Sequence, residues 1–290
     1  MGKSMSAKVM SGLIRAIPKY TAEQSERRIR DALVKGEKPE EPPTNVATRY
    51  EDSVNGRVFY VNEKGMSRYT VFYIHGGAYR WGFLRPHWRF IERIAKETNA
   101  LVIAPGYRLA PFATYKEAYD LIVPLYRQYR EEHPEKKVIM MGDSAGGGLA
   151  LALAEHFKEE GIPLPDELVL FSPWVDISME NEEIPKYQPR DPMLPAAAAR
   201  PAARRWSGDL DIHDPKVSPL FGDLSGIRNV TVFVGTDEIL YPDVRKMFSM
   251  LDKDVSNELI VGEGMYHCYP LGHTKEAVPA RNKVFQAILR

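Results

Sequence analysis

Short apolar runs alternate with longer amphipathic segments along most of this chain. The apolar runs are rich in β-branched and aromatic residues, which is typical of strands. They predict strands at 57–61, 69–74, 100–104, 137–141, 167–171, 230–234 and 258–261. Helical periodicity between these runs predicts helices at 87–98, 115–132, 146–160, 241–252 and 276–289.

The regular alternation of strand and helix indicates the fold class. Runs such as 101–104 and 168–171 are apolar on both faces, as strands buried in the middle of a parallel sheet are. Helices between successive strands cover both faces of such a sheet. The sequence therefore predicts an α/β fold with a mostly parallel central sheet flanked by helices.

Two stretches depart from this alternation. The N-terminal part is helical around 4–17 and 22–35 and is followed by a Pro- and Glu-rich linker at 38–43. Residues 176–223 contain many prolines and no strand of their own. Because a long irregular insertion in a compact domain is commonly a lid or a binding loop, we expect an N-terminal segment at 1–45. The main domain then covers 46–290, with a cap insertion at 176–223.

Composition narrows the possible partners. The chain has 290 residues, 44% of them hydrophobic, and 39 basic residues balance 39 acidic ones. A balanced charge provides no field for binding nucleic acid, and no apolar run reaches the length that spans a bilayer. One cysteine and the lack of an apolar leader in the first 21 residues lead us to expect a cytoplasmic protein. No metal, nucleotide or dinucleotide motif is present, so we expect no cofactor.

A pentapeptide of the form Gly-x-Ser-x-Gly occupies residues 142–146. It follows the predicted strand at 137–141 and precedes a run of small residues that is predicted to be helical. A strand that turns directly into a helix at this motif holds the serine in a strained turn, with its hydroxyl above the edge of the sheet. We therefore expect Ser144 to be a nucleophile.

A second motif, His75-Gly76-Gly77-Ala78, follows the predicted strand at 69–74. Acyl transfer passes through a tetrahedral oxyanion, which backbone N–H groups can stabilise. The N–H groups of Gly76, Gly77 and Ala145 are the predicted donors of an oxyanion hole. We expect His75 to brace this loop rather than to react.

A serine nucleophile needs a base, and the base needs a carboxylate that orients it. Both residues are expected after later strands of the sheet, in the order Ser, Asp or Glu, His. Asp237 and His267 occupy such positions, and we predict that they complete a catalytic triad with Ser144. Asp243 is an alternative carboxylate and His273 an alternative base. Apart from His75 in the motif at 75–78, the remaining histidines are interpreted as surface residues: His87, His133, His156 and His213.

These motifs resemble the hormone-sensitive-lipase-like branch of the α/β-hydrolases, the bacterial family IV esterases, over almost the whole chain. The resemblance is carried by the segments 75–78, 107–111, 142–147, 172–174, 191–194, 218–220 and 235–237 and by His267. It implies an α/β-hydrolase fold with a helical cap. It also implies a serine esterase that cleaves short-chain or aromatic carboxylic esters without a cofactor. An amidase or formamidase with the same triad is an alternative, and so is an engineered or ligand-binding derivative of the scaffold.

Several residues depart from the pattern of the resembling family. Ala78 stands where the family usually has a third glycine, Phe112 where it has an acidic residue, and Cys268 where it has a glycine. Members of this branch often form dimers, and the last strand and helix offer a surface for a homodimer.

Aromatic residues gather near the loops of the expected site, and they predict an apolar pocket of limited depth for a small ester substrate. The candidates for substrate contact are Tyr79, Trp81, Phe83, Trp174, Tyr187, Trp206 and Tyr266.

Overall fold

A computed structural model of the chain describes residues 3–37, 48–63, 67–253 and 256–290. The linker expected at 38–43 and the domain boundary expected at 45 lie outside the described residues. Within the described ranges, no helix combines the length and apolarity that crossing a bilayer requires.

The described residues contain one sheet of eight strands, ordered β1-β2-β4-β3-β5-β6-β7-β8. β1 and β2 are antiparallel to their neighbours, and the pairs from β4 to β8 are parallel. The carboxyl ends of these parallel strands therefore meet at one edge, where ligand sites of α/β proteins form. The strands are β1 Thr48–Ser53, β2 Gly56–Val61, β3 Tyr69–Ile74, β4 Leu101–Tyr107, β5 Lys137–Asp143, β6 Glu167–Phe171, β7 Val230–Gly235 and β8 Glu258–Gly262.

Helices cover both faces of the sheet, as the alternating pattern predicted. In β3, Phe72 and Ile74 face one apolar core and Val71 and Tyr73 face the other, because successive side chains of a strand point to opposite faces. The helices of the described chain are α1 Met5–Ala16, α2 Ala22–Lys35, α3 Arg85–Thr98, α4 Tyr115–Glu132, α5 Ala145–Glu159, α6 Ile184–Tyr187, α7 Ala196–Trp206, α8 Tyr241–Met250 and α9 Ala277–Leu289.

The N-terminal segment and the insertion pack together. Helix α2 lies against α7, and the hydroxyl of the buried Ser25 donates to the carbonyl of Ala198 at 2.9 Å. Arg205 and Glu26 form an ion pair across the same contact at 2.8 Å. We call α1, α2, α6 and α7 the cap.

Each predicted strand and helix is present, with ends that differ by a few residues at most. Strand β1 was missed in the sequence because its residues, Thr48–Ser53, are mostly polar. Among the described strands it lies at the edge and pairs with β2 alone, so burial imposes no apolar pattern on it. Strand β8 forms the other edge, and a dimer through it stays a prediction.

Helix α5 contains a buried carboxyl group. Glu155 is 3% exposed, and within the described structure neither of its carboxyl oxygens has a hydrogen-bond partner. Burial raises the pKa of Glu155 to about 9, although Lys158 lowers it. The group is therefore neutral in the folded protein at pH 7 and ionised in the unfolded chain.

Glu155→Gln is expected to stabilise the protein, and more so as the pH rises. Between the unfolded pKa of 4.5 and the folded pKa of about 9, the folded state binds more protons, so stability falls with rising pH. The free energy of unfolding falls by about 1.4 kcal/mol for each pH unit in this window, so the buried carboxyl group lowers it by about 3 kcal/mol at pH 7. Urea unfolding at pH 5 and pH 8 measures this difference. Glu131→Gln, at an exposed position on α4, is the control, and a gain that does not grow with pH would contradict the assignment.

Candidate active site

Ser144 lies in a sharp turn between β5 and α5, as the motif predicted. Its φ is 53° and its ψ is −122°, a backbone conformation that side-chain-bearing residues rarely adopt. The turn requires glycine on both sides of it. A side chain at Gly142 would clash with the backbone of Gly146, and one at Gly146 would clash with the backbone of His75. The Ser144 carbonyl accepts from the N–H of Trp174 at 2.8 Å, which fixes the turn from the other side.

The imidazole of His267 lies beside this hydroxyl. Its Nε2 is 2.8 Å from Ser144 Oγ, and its Nδ1 is 2.7 Å from Oε2 of Glu238. Because the carboxylate accepts the Nδ1 hydrogen, Nε2 is left to accept the serine proton. The structure thus brings together a hydroxyl, a base and a carboxylate from the loops after β5, β8 and β7.

The carboxylate in this arrangement is Glu238, and the prediction of Asp237 was wrong. Asp237 turns toward the cap, where its side chain is 2.6 Å from Nζ of Lys3 and 3.5 Å from Nε of Arg190. Its backbone N–H donates to the carbonyl of Met265 at 2.9 Å, which holds the turn in this orientation. Adjacent residues of a turn point in different directions, so only one of the two acids can face the imidazole.

Two further contacts hold Glu238 in place. The side chain is fully buried, and its Oε1 accepts from Ser172 Oγ and from the N–H of Gly235, both at 2.7 Å. These donors balance the buried charge and leave Oε2 for the imidazole. Asp243, the alternative carboxylate, instead accepts from the side-chain amide of Asn181 on the cap insertion.

Backbone N–H groups for an oxyanion come from two elements. The N–H of Gly76 already donates to Oδ1 of Asp143 at 3.0 Å, so it is not available as predicted. In the described part of the chain, the N–H groups of Gly77, Ala78 and Ala145 have no hydrogen-bond partner. We therefore place Ala78 in the position predicted for Gly76. Its φ of 52° also accounts for the glycine that the resembling family has there.

Asp143 connects residues 75–78, which we call the oxyanion loop, to the turn at Ser144. Burial would raise its pKa, but His87, the Gly76 N–H and the Tyr73 hydroxyl lower the pKa of Asp143 to about 2. His87 was predicted at the surface, yet it is buried with Nε2 at 3.2 Å from Asp143. Its Nδ1 accepts from the N–H of Leu84, so Nε2 carries the hydrogen that is donated to Asp143. No sequence pattern indicates this pair, because only the fold brings α3 to the serine turn.

His75, the first residue of the oxyanion loop, is fully buried. The ring of His75 stacks on Tyr107 with centroids 4.4 Å apart, and Nδ1 contacts the carbonyl of Gly76 at 2.8 Å. Burial lowers the pKa of His75 to about 4, so the ring is neutral at pH 7. These contacts agree with the prediction that His75 braces the loop.

The cysteine after the base lies in the site. Cys268 Sγ is 3.5 Å from His267 Nε2, and its N–H donates to Ser172 Oγ at 2.9 Å. Burial raises the pKa of Cys268 to about 11, so the thiol is neutral at pH 7. Its φ of 53° accounts for the glycine that is usual at this position in the resembling family.

Most aromatic candidates for substrate contact pack into the core instead. Tyr79 stacks on Trp206 with centroids 4.1 Å apart and on Trp174 at 5.8 Å, and all three are buried. Tyr187 packs against Tyr241 and is also buried, as is Tyr266. Their predicted substrate contact is therefore not supported by their positions. Trp81 and Phe83 line a cavity next to the oxyanion loop, and for these two the prediction stays open.

The described residues offer no group of three or more His, Cys, Asp or Glu side chains that could hold a metal ion. The arrangement of Ser144, His267 and Glu238 beside free N–H groups can instead support nucleophilic attack on a carbonyl, with the proton held by the imidazole.

Comparisons with known proteins agree with this geometry. The sequence profile of the α/β-hydrolase fold matches residues 71–271. An acetyl-hydrolase of Streptomyces hygroscopicus is 34% identical over 179 residues, which cover 61% of this chain and 60% of that protein. An esterase of Acinetobacter venetianus is 33% identical over 204 residues, which cover 69% of this chain and 67% of that protein. The chain thus matches about six tenths of the Streptomyces protein's length.

A solved structure extends the similarity to nearly the whole chain. The crystal structure of an esterase from the bacterial hormone-sensitive lipase family is 26% identical, has a TM-score of 0.78, and covers 99% of this chain and 97% of that chain. The fold class and the resemblance predicted from the motifs are confirmed. The chain therefore belongs to the α/β-hydrolase family, in its hormone-sensitive-lipase-like branch of esterases.

Proposed function

We propose that the protein is a serine carboxylesterase that cleaves short-chain or aromatic carboxylic esters through an acyl-enzyme intermediate. The observation that carries the proposal is the continuous hydrogen-bonded series from Ser144 through His267 to Glu238. The names of the matched relatives, an acetyl-hydrolase and an esterase, support the same reaction class.

In the acylation step, Ser144 Oγ bonds to the ester carbonyl carbon while its proton passes to His267 Nε2. The carbonyl oxygen becomes an oxyanion, which the N–H groups of Gly77, Ala78 and Ala145 stabilise. Glu238 stabilises the positive imidazolium through the Nδ1 hydrogen. When the oxyanion collapses, the bond from the acyl carbon to the alkoxide oxygen breaks, and the imidazolium Nε2–H protonates that oxygen to release the alcohol.

Deacylation reverses these roles. A water molecule gives a proton to His267 and bonds to the acyl carbon, which forms a second oxyanion at the same N–H groups. The bond from the acyl carbon to Ser144 Oγ then breaks, and the imidazolium returns the proton to the serine. The products are a carboxylic acid and the regenerated enzyme.

Two measurements test the proposal together. The protein is expected to hydrolyse p-nitrophenyl acetate and butyrate, and a fluorophosphonate probe is expected to add covalently to Ser144, as seen by mass spectrometry of its peptide. Labelling at another residue, or no turnover of either ester, would contradict the proposed function. Matched ester and anilide substrates separate an esterase from an amidase, because amines leave less readily than alkoxides.

The rate is expected to rise with pH through the titration of His267. Burial alone would lower the pKa of His267, but the hydrogen bond and the charge of the Glu238 carboxylate raise this pKa above 6.5. Because only the neutral imidazole accepts the serine proton, the acidic limb of kcat/KM should have its midpoint above pH 6.5. A pH profile with p-nitrophenyl butyrate measures this midpoint, and a midpoint below 6 would contradict the assignment of the base.

A further inference from the structure

A cavity of about 990 Å³ lies between the cap and the sheet. Its walls come from α2, the turn between β1 and β2, the loop after β3 and the segment after β4. Trp81 and Leu84 line it with side chains that are 46% and 48% exposed, which gives part of the wall an apolar surface. Ser144 is not among its lining residues.

Positive charge exceeds negative charge along the described walls. Arg57 pairs with Asp52 at 2.5 Å, and Arg108 pairs with Glu37 at 2.8 Å. The described lining residues outside these two pairs carry three positive charges and one negative charge, on Arg28, Lys35, Arg80 and Asp31. A cavity of this kind attracts anions, because charges along a concave low-dielectric wall reinforce one another.

Arg80 is the cation best placed to bind an anion. Its side chain is partly buried, and no carboxylate of the described chain lies within 4.0 Å of it. The guanidinium donates to Ser25 on α2, which leaves other N–H donors of its planar group. Burial and the like charges of Arg28 and Arg205 lower the pKa of Arg80, whereas the charge of Glu26 raises it. A guanidinium with unused donors binds a carboxylate in a two-point contact.

The oxyanion loop connects this cavity to the nucleophile. Gly76 lies against Ser144, since a Cβ at Gly76 would be 2.9 Å from the serine Cβ. The next residue, Gly77, lies against the backbone of Trp81, which lines the cavity. Because consecutive Cα atoms are 3.8 Å apart, the route from Ser144 through Gly76 and Gly77 to Trp81 is at most roughly 12 Å long. An acyl chain of about six to eight carbons, together with its contacts at both ends, falls within this length.

We propose that the cavity is a subsite for the anionic end of the substrate, in which Arg80 binds a carboxylate remote from the ester bond. The substrate class is then a monoester of a medium-chain dicarboxylic acid, whose methylene chain packs against the apolar wall at Trp81. The inference rests on the proposed esterase function and specifies its substrate.

The experiment compares anionic and neutral esters of equal length. The anionic substrates are the mono-p-nitrophenyl esters of adipic and suberic acid, and the neutral ones are p-nitrophenyl hexanoate and octanoate. The quantity measured is the ratio of kcat/KM for the anionic ester to kcat/KM for the neutral ester. Because enzyme concentration cancels in this ratio, a partly unfolded variant does not distort it.

Arg80→Gln is expected to lower this ratio by about tenfold or more, as the loss of a charge-assisted contact implies. Arg80→Lys should retain part of the preference, because the charge remains while the planar group is lost. Ser25→Ala removes the neighbouring hydroxyl and keeps the guanidinium, so it should leave the ratio within about twofold. Arg89→Gln, an exposed arginine on α3, is the matched control and should also leave it unchanged.

Two results would overturn the inference. An unchanged ratio in Arg80→Gln would show that the guanidinium does not bind the carboxylate. An equal loss for both esters would show that Arg80 only supports the oxyanion loop through Ser25. Failure of the proposed function is a separate result, because the wild-type protein would then not hydrolyse the neutral esters either.

Discussion

Replacing Ser144 by alanine is expected to reduce kcat for p-nitrophenyl butyrate by about 10⁴-fold or more. The variant lacks the oxygen that attacks the carbonyl, while the N–H groups of Gly77, Ala78 and Ala145 remain in place. These groups account for the residual rate over water that such variants keep. Steady-state hydrolysis at saturating ester measures the loss.

The same assay needs a control for the effect of removing a hydroxyl. Ser249→Ala serves this purpose, because Ser249 is exposed on α8 and its hydroxyl donates to the carbonyl of Lys246 on the same helix. Its activity should stay within about twofold of wild type. If Ser144→Ala kept more than about a tenth of the activity, Ser144 would not be the nucleophile.

Glu238→Gln is expected to reduce kcat by about 10⁴-fold, comparable to the loss when a triad carboxylate is replaced by its amide. Glu238 Oε2 accepts the Nδ1 hydrogen of His267 at 2.7 Å. An amide in its place can present its NH₂ to Nδ1, which moves the imidazole hydrogen to Nε2. The base then cannot accept the serine proton, and the imidazolium loses its counter-charge. The measurement is kcat with p-nitrophenyl butyrate.

Asp237→Asn is the matched control, since it makes the same chemical change at the adjacent residue. Asp237 contacts Lys3 and Arg190 rather than the imidazole, so kcat should change by less than about threefold. A large loss in Asp237→Asn together with an active Glu238→Gln would restore the sequence-based choice of Asp237.

The histidine network shows a limit of sequence reasoning. His87 follows a proline at the start of a helix, which is ordinarily a solvated position. In the fold, α3 packs against the sheet so that His87 lies next to Asp143. Asp143 in turn accepts a hydrogen bond from the N–H of Gly76. That contact makes the N–H of Gly76 unavailable to the proposed oxyanion hole. A loop motif identifies the segment that supplies the donors, but the partners of each N–H depend on distant residues.

The sequence by itself determined the strands of the described sheet other than β1, the helices that flank the sheet, and the positions of Ser144 and His267. Strand and helix periods follow from which faces are buried, and the serine turn requires a local Gly-x-Ser-x-Gly pattern. Only the tertiary structure showed that Glu238, and not Asp237, faces the imidazole. Both acids follow β7, and the orientation of each depends on contacts with Lys3, Ser172 and Met265. Those residues lie in other parts of the chain, and folding alone brings them to this turn.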